Sequence, residues 1–461
     1  MNLSVEKICA ATAAKSSADL HAVVNGVNTD SRLPQKGQLF VALKGPHFDG
    51  HHYCKLALEK GAVACVVQEE IPSIEKRFQI VVSDTLAALG DLAAYWRSLH
   101  ALPVVAITGS NGKSTTKEMV ASVLSSLGAV HKTEGNFNNL IGLPLTLFKL
   151  EASHKALVLE LGMNAPGEIK RLTEISKPDF GLITNVTAAH LHYLGSIDAV
   201  AKAKGELFET IASDKTIIVN RDDPRIMQLS KAFAGKKISF GLHHDADVSF
   251  AHAHTFALDS TDLTANVFGK EMTFHLPFVG AHNIMNALAA LACGSALGLS
   301  VEEMAKNFSS CQPMKMRFER VQLRNGARLI NDAYNANPES VRAALRTISA
   351  ADRTGRFAVV LGEMLELGTE ASDLHRQIGF EAAKYHVDLL YLYGDHAQDV
   401  ARGAIDGGLD EKKVRVFTSL DDLSEQAHGE IAAGDVWLVK GSRGMQMEKM
   451  VTYIKRAVGT D

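Results

Sequence analysis

The sequence predicts an α/β protein of three units: a small first unit, a central unit with a mostly parallel sheet, and a third unit with a doubly wound sheet. Short apolar runs of strand length alternate with amphipathic stretches of helix length, which is the pattern of βαβ units. One run, Val104-Val105-Ala106-Ile107-Thr108-Gly109-Ser110-Asn111-Gly112-Lys113-Ser114-Thr115-Thr116, joins an apolar strand through a glycine turn to the start of a helix. A chain of 461 residues also exceeds what one core organises, so two to four domains are expected.

The elements follow in order. Residues 1–100 alternate strand-like runs at 38–43, 62–67 and 78–83 with helices near 52–60 and 85–99, a small α/β unit. Residues 101–313 hold apolar strands at 104–108, 156–161, 180–185 and 216–220, separated by helices, as in a parallel sheet buried on both faces. Within them, 247–279 lacks helical periodicity and predicts an antiparallel extension, before a helix over 281–299. Residues 314–461 carry strands at 328–331, 357–361, 389–393, 414–417 and 436–439 with helix-length spacers, the signature of a doubly wound, Rossmann-like sheet.

Composition removes several function classes. Hydrophobic residues at 46% and charged residues at 22% argue against large-scale disorder. A formal net charge of -4 without any charge block predicts no nucleic-acid partner. Cys9, Cys54, Cys65, Cys293 and Cys311 are scattered, odd in number and free of C-x-x-C spacing, so reduced thiols are expected. No stretch of about 18 apolar residues predicts a membrane span, and the first residues lack a basic region followed by an apolar core. A cytoplasmic location is therefore expected.

The glycine turn carries the clearest chemistry. Small residues let successive backbone N–H groups curl around phosphate oxygens at a helix N-terminus, where the helix dipole favours negative charge. Lys113 would neutralise outer phosphates, the Ser114 hydroxyl would hold Mg2+, and Met119, Val120, Val123, Leu124 and Leu127 supply the following helix. The general pattern G-x-x-x-x-G-K-[ST] expects glycine at 107, where this chain has Ile107. A plain Gly/Ser turn before a surface helix would use similar residues, but the flanking strand and helix both favour the phosphate reading.

Three further features lie in the central unit. Glu160 ends the run Leu157-Val158-Leu159-Glu160-Leu161-Gly162, at the carboxyl edge where ligands of parallel sheets gather. It either ligates Mg2+ beside Ser114 or caps a turn. His190 and His192 follow the strand near 182–186, and loop histidines of this kind are more often solvated than ligands. Lys202 and Lys204 read, from composition alone, as an exposed helix with charge pairs.

Taken together and in order, these pieces resemble the Mur ligase family of ATP-dependent amide-forming enzymes. The series is Thr108-Gly109-Ser110-Asn111-Gly112-Lys113-Ser114, Gly135-Asn136-Phe137-Asn138-Asn139-Leu140-Ile141-Gly142-Leu143-Pro144, Glu160, His190 and Lys204. It continues through Gly280-Ala281-His282-Asn283-Ile284-Met285-Asn286-Ala287, Met316-Arg317-Phe318-Glu319 and Asn331-Asp332-Ala333-Tyr334-Asn335-Ala336-Asn337-Pro338. The missing glycine at 107 is also how that family writes its loop.

The resemblance implies roles. Gly109, Ser110, Asn111, Gly112, Lys113, Ser114 and Thr115 would cradle ATP, with Lys113 on the β- and γ-phosphates. Ser114 and Glu160 would hold one Mg2+; His190 would hold a second with an N-carboxylated Lys204, Lys202 being the alternative. Asn283 and Asn286 would face the nucleotide, with Asn286 on adenine, Arg317 would reach the γ-phosphate, and Asp332 with Tyr334 the ribose and base. These contacts come from separate units, so the site is expected to be complete only when the third unit closes on the second.

The first unit, with Thr29-Asp30-Ser31-Arg32, Lys44-Gly45 and Phe48-Asp49-Gly50-His51, is similar to a UDP-sugar domain. Ser31, Arg32, Lys44, Asp49, Gly50 and His51, with Asn136 and Asn138, are thereby implied in substrate binding. Leu361-Gly362-Glu363-Met364-Leu365-Glu366-Leu367-Gly368 is similar to the branch that adds the final dipeptide of the peptidoglycan stem. Asp-Asn-Pro-Arg, typical of the branch adding diaminopimelate, is absent from the third unit; Asp222-Asp223-Pro224-Arg225 is a near match in the central unit and reads as a loop. The implied activity is ATP-dependent joining of D-alanyl-D-alanine to UDP-N-acetylmuramoyl tripeptide through an acyl phosphate, by a monomer. The rivals are the ligase adding the third residue, a folylpolyglutamate-type ligase, and a P-loop switch or motor.

Overall fold

The computed structural model describes every residue except 17–18, 34, 189–193, 257 and 461, and the side chains of Ser16 and Phe256. The central sheet has nine strands. From one edge they run Ala129–Lys132, His154–Glu160, Val104–Thr108, Phe180–Ile183, Thr216–Asn220, Lys236–Gly241 and Val248–Phe256, all parallel. Ser260–Val267 and Lys270–Leu276 then add the antiparallel extension that 247–279 predicts. All five residues of Val104–Thr108 are buried, as a strand covered on both faces requires.

The third unit has a six-stranded sheet in which Val436–Lys440 inserts between Arg328–Asp332 and Phe357–Gly362, followed outward by Leu389–Tyr393 and Val414–Phe417. This is the doubly wound order expected. Its antiparallel edge, Glu319–Gln322, is not anticipated by the sequence pattern. Neither are Ala129–Lys132 and Lys236–Gly241. Each begins or lies at a partly exposed position with polar residues, so none carries the continuous apolar run of a central strand.

The first unit holds parallel strands Val27–Asn28, Leu39–Val41, Ala64–Val67 and Gln79–Val81, with Lys15–Ser16 antiparallel at the edge. Its helix Thr85–Ser98 is capped by Asp84, which accepts from Leu86 N and Ala87 N. Leu89, Leu92 and Ala93 of that helix join Leu143, Leu147, Leu172 and Ile175 of the central unit in one apolar core. The first and central units are therefore bonded by packing, and Arg171 to Asp91 (2.6 Å) adds a partly exposed ion pair at the rim.

Two local expectations change. Asp222-Asp223-Pro224-Arg225 is not a plain loop: Asp223 caps the helix Pro224–Ser230, with proline at its first position, where no N–H is required. Lys204 is not a surface lysine; it is 1% exposed on the helix Ile197–Thr210, whereas Lys202 is exposed. Among the described residues no disulfide joins the cysteines, and no helix is long and apolar enough to cross a membrane.

Candidate active site

The strand Val104–Thr108 ends where the order of the central sheet reverses, between His154–Glu160 and Phe180–Ile183. Such a reversal opens a crevice at the carboxyl ends of the strands. Ile107 pairs with Glu160 on one side and Leu182 on the other and is fully buried, which is why this loop has no glycine there: position 107 is core strand. The glycines come later. Gly109 has φ 149°, and a Cβ on it would stand 1.9 Å from Thr184 Oγ1. Gly112 has φ 80°, caps the helix Lys113–Val123, and its Cβ would stand 2.4 Å from Asn286 Oδ1. Both need a missing side chain and a left-handed backbone.

The segment after Phe180–Ile183 braces the loop. Asn111 N donates to Asn185 Oδ1 (2.9 Å), Ser110 N to the Asn185 carbonyl (2.9 Å), and Thr184 Oγ1 to the Asn111 carbonyl (2.6 Å). Ser110 Oγ donates to the Thr187 carbonyl at 3.1 Å. Sequence reasoning missed Thr184, Asn185 and Thr187; their position just past a strand at the sheet's carboxyl edge is the signal that could have found them.

Behind the loop lies a charged cluster. The Ser114 hydroxyl donates to Glu160 Oε2 (2.8 Å), and Asn138 Nδ2 donates to Glu160 Oε1 (2.8 Å). Asn138 thus joins this cluster, whereas Asn136 is exposed. Lys113 Nζ folds back on the carbonyls of Gly109 (2.7 Å) and Ser110 (3.3 Å). Burial lowers its pKa, with Glu160 opposing that fall. The Lys204 amine is pushed well down by burial first and by Lys113 second, and among the described residues it has no hydrogen-bond or carboxylate partner. His190 lies outside the described residues.

A hydroxyl and a carboxylate side by side are hard oxygen donors, the set that Mg2+ uses together with phosphate oxygens and water. Among the described residues no three His, Cys, Asp or Glu side chains converge as a metal cage, so this cation would depend on the bound nucleotide for its remaining oxygens.

The third unit closes the site. Arg317 stands between Met316 (φ 61°) and Phe318 (φ 52°), both in the left-handed region, and its Nη2 donates to Ser114 Oγ at 3.3 Å. Its guanidinium lies 4.0 Å from the Tyr334 ring centre, and its Nε is enclosed without a partner, a donor suited to a phosphate oxygen. Asn337 Nδ2 donates to Asn111 Oδ1 at 2.6 Å, a second bond between the units. The described arrangement therefore already has the third unit against the loop.

Between the units lies a cleft of about 310 Å³, whose lining includes Gly112 with the polar Ser114, Thr115 and Arg317, and the apolar Phe240, Phe278 and Met285. Asn283 and Asn286 both line it, yet their amides look inward: Thr116 Oγ1 donates to Asn286 Oδ1 (3.1 Å) and Asn286 Nδ2 to Asn283 Oδ1 (3.0 Å). Asp332 lines it in an ion pair with buried Lys440 (2.5 Å), while Tyr334 sits beneath Arg317. His282 also lines the cleft; its Nδ1 is enclosed without a partner, and burial lowers the ring's pKa to about 4.

The first-unit candidates form their own group. Asp49 accepts from His51 N (3.0 Å) and pairs with its Nδ1 (2.6 Å), while Lys44 approaches Asp49 at 3.9 Å. Gly50 is buried where a Cβ would stand 2.7 Å from the Leu43 carbonyl oxygen. Ser31 is buried, and exposed Arg32 pairs with Asp30 (2.8 Å). Among the described residues no hydrogen bond or ion pair joins this group to the cleft lining.

Three family models match: Mur ligase family, catalytic domain, over residues 23–97; Mur ligase middle domain over 107–294; and Mur ligase, glutamate ligase domain, over 316–443. A Bacillus subtilis (strain 168) protein named UDP-N-acetylmuramoyl-tripeptide--D-alanyl-D-alanine ligase is 37% identical over 93% of each chain. A Haemophilus influenzae protein of the same name is 34% identical over 99% of each. Among solved structures, MurF from Acinetobacter baumannii aligns over 99% of each chain with a TM-score of 0.90 and 31% identity. MurF ligase from Thermotoga maritima, solved in complex with ADP, aligns over 94% of this chain and 97% of that one, with a TM-score of 0.84 and 25% identity. Full-length similarity of this kind, on top of the loop, the Ser114–Glu160 pair and the third unit set against them, places the chain in the Mur ligase family.

Proposed function

We propose that this chain is the ATP-dependent ligase that joins D-alanyl-D-alanine to UDP-N-acetylmuramoyl tripeptide in peptidoglycan precursor synthesis. The observation that carries the reading is the convergence of Lys113, Ser114, Glu160 and Arg317 beside a cleft between the units that Ser114 and Arg317 line. The names of relatives matched over nearly the whole chain select the substrates.

In this reading a terminal carboxylate oxygen of the tripeptide attacks the γ-phosphorus of ATP, and the bond to the departing ADP oxygen breaks. The neutral amine of D-alanyl-D-alanine then attacks the acyl carbon, inorganic phosphate leaves with the bonding pair, and the nitrogen gives up a proton, which phosphate or water takes, as the amide forms. Two anions must meet in the first step, so charge neutralisation dominates. The loop N–H groups and Lys113 hold the phosphates, and the free Nε of Arg317 donates to the transferring group. Ser114 and Glu160 would hold Mg2+, which supplies further neutralisation of the phosphates.

Lys204 has its role through burial. An ammonium cannot ligate a cation, but a neutral amine attacks CO2 and, after losing a proton, becomes a carbamate with two anionic oxygens. The depressed basicity of Lys204 favours that neutral amine, and exposed Lys202 has no such environment. A second Mg2+ would bind this carbamate with His190. Asn283 and Asn286 are assigned to the adenine end, and Asp332 with Tyr334 to the ribose side.

The units are assigned accordingly: 1–100 to the UDP-sugar through Ser31, Arg32, Lys44, Asp49, Gly50 and His51; 101–313 to ATP and the acyl end; and 314–461 to closure and the dipeptide. The proposed setting is the cytoplasm, with the protein acting as a monomer. The test is phosphate release from ATP with each substrate omitted in turn. Release that needs both UDP-muramoyl tripeptide and D-alanyl-D-alanine is expected. Brisk hydrolysis with neither would overturn the ligase reading in favour of a switch.

A further inference from the structure

We infer that Lys117 is a positioning residue for Glu160, acting through Thr133; the inference rests on the proposed binding of Mg2+ by Ser114 and Glu160. Lys117 is one turn beyond Lys113, where a helix usually sends a lysine to water, yet it is 1% exposed. Removing an ammonium from water costs several kcal/mol unless its donors are met. Here they are met in a directed way. Lys117 Nζ donates to the Thr133 carbonyl at 2.5 Å and lies 3.1 Å from Glu118 Oε1. Glu118 also pairs with Lys132, the residue before Thr133.

Thr133 follows the edge strand Ala129–Lys132 and is itself fully buried. It is tied at three points. Its carbonyl accepts from Lys117, its N–H donates to the Val158 carbonyl (3.1 Å), and its Oγ1 accepts from Glu160 N at 3.0 Å. Glu160 in turn presents Oε2 to Ser114 and Oε1 to Asn138, both at 2.8 Å. The contacts close into a ring. Ser114 and Lys117 are three apart on the same helix, hence on one face, so that face grips Glu160 directly at its carboxylate and indirectly at its backbone. An edge strand packed only by apolar residues could slide along its neighbour; this ammonium fixes where the strand stops and so where the carboxylate stands.

A small hard cation tolerates little displacement of its oxygens, and loss of an outer partner of a ligand typically lowers metal affinity about 10- to 100-fold. The test is calorimetric titration of the full chain with ADP, with and without Mg2+, for Lys117→Met, Lys117→Gln and Thr133→Val, with thermal unfolding alongside. Without Mg2+ the ADP affinity is expected to stay within about twofold, while the Mg2+ concentration giving half of the metal effect rises about 10-fold. Lys117→Gln keeps a donor and should show a smaller rise; it also serves if the methionine variant does not fold. Lys117→Met with Thr133→Val should be no worse than the worse single variant, because both cut one chain of contacts.

Equal loss of ADP affinity with and without Mg2+ would reduce Lys117 to packing and overturn the inference. So would unchanged Mg2+ dependence in both Lys117→Gln and Thr133→Val. No peptide substrate is present, so a failed ligation assay with an intact Mg2+ effect would overturn the ligase reading alone. Absence of any Mg2+ effect in the unaltered protein would overturn both.

Discussion

Replacing Lys204 by methionine should make the protein more stable and inactive at once. The side chain is 1% exposed, and burial, reinforced by Lys113, holds its amine well below the ordinary lysine value of 10.5. A base depressed in the folded state binds fewer protons there than in the unfolded chain. Stability therefore rises with pH from the folded pKa up to 10.5, and the penalty is full below that window. Exchanging a buried charge for an apolar chain of similar length is worth about 1–4 kcal/mol, and because this amine can shed its proton the lower part applies, about 1–2 kcal/mol. For a unit of this size that is a rise of roughly 2–8 °C in the unfolding midpoint.

The assay is thermal unfolding in CO2-depleted buffer, where the lysine remains a free amine, near neutral pH and again near the ordinary lysine value. The advantage of Lys204→Met should shrink at the higher pH. Ligation by the same variant should vanish, and Lys204→Ala should partly recover with a small carboxylic acid that fills the space and replaces the carbamate oxygens. A methionine variant that ligates normally would remove Lys204 from the chemistry. A midpoint that falls instead would mean that the ammonium is well paired and that the burial argument is wrong.

Two more perturbations probe the frame around the nucleotide. Gly109→Ala must accept φ 149° and a Cβ 1.9 Å from Thr184 Oγ1, so it should cost more than about 2 kcal/mol and weaken ADP binding at least about 10-fold; unchanged titration would refute the close approach. Asn337 caps the helix Pro338–Ser349 and also donates to Asn111. Asn337→Ala should lose about 1–2 kcal/mol by urea unfolding, whereas Asn337→Asp, which keeps the cap but not the donor, should lose about 1 kcal/mol or less while still raising KM for ATP.

How much of this was legible depends on where each residue's partner lies in the chain. Strands such as Val104–Thr108 and Phe357–Gly362 are buried on both faces and announce themselves as apolar runs. Ala129–Lys132 is an exposed edge with histidine and lysine, so its strand character comes only from pairing with His154–Glu160. The loop at 109–115 is local and could be read directly. The residues that brace it could not, because Asn185 lies 74 positions from Asn111 and Asn337 lies 226 away. Lys202 and Lys204 differ least in sequence and most in environment: two positions on one helix separate an exposed lysine from one facing Lys113. Composition carries no information on that difference; packing decides it.

The cations of the site come from different units, and this has a consequence for the proposed reaction. Lys113 belongs to the loop, whereas Arg317 arrives on a turn of the third unit whose two flanking residues hold left-handed conformations. Such a backbone costs about 1–3 kcal/mol per residue and persists only when its surroundings enforce it. Here the enforcement includes Tyr334 N donating to the Met316 carbonyl and Phe318 N donating to Asp332, both within the third unit. Arg317 is therefore placed by contacts within its own unit, and its bond to Ser114 depends on the position of that unit rather than on a side-chain search. An acyl phosphate is exposed to water as well as to the amine. In the proposed reaction, a last cation supplied only when the cleft is covered would tie full neutralisation of the phosphates to the exclusion of water, so that the activated carboxyl would form where the amine, and not the solvent, can reach it.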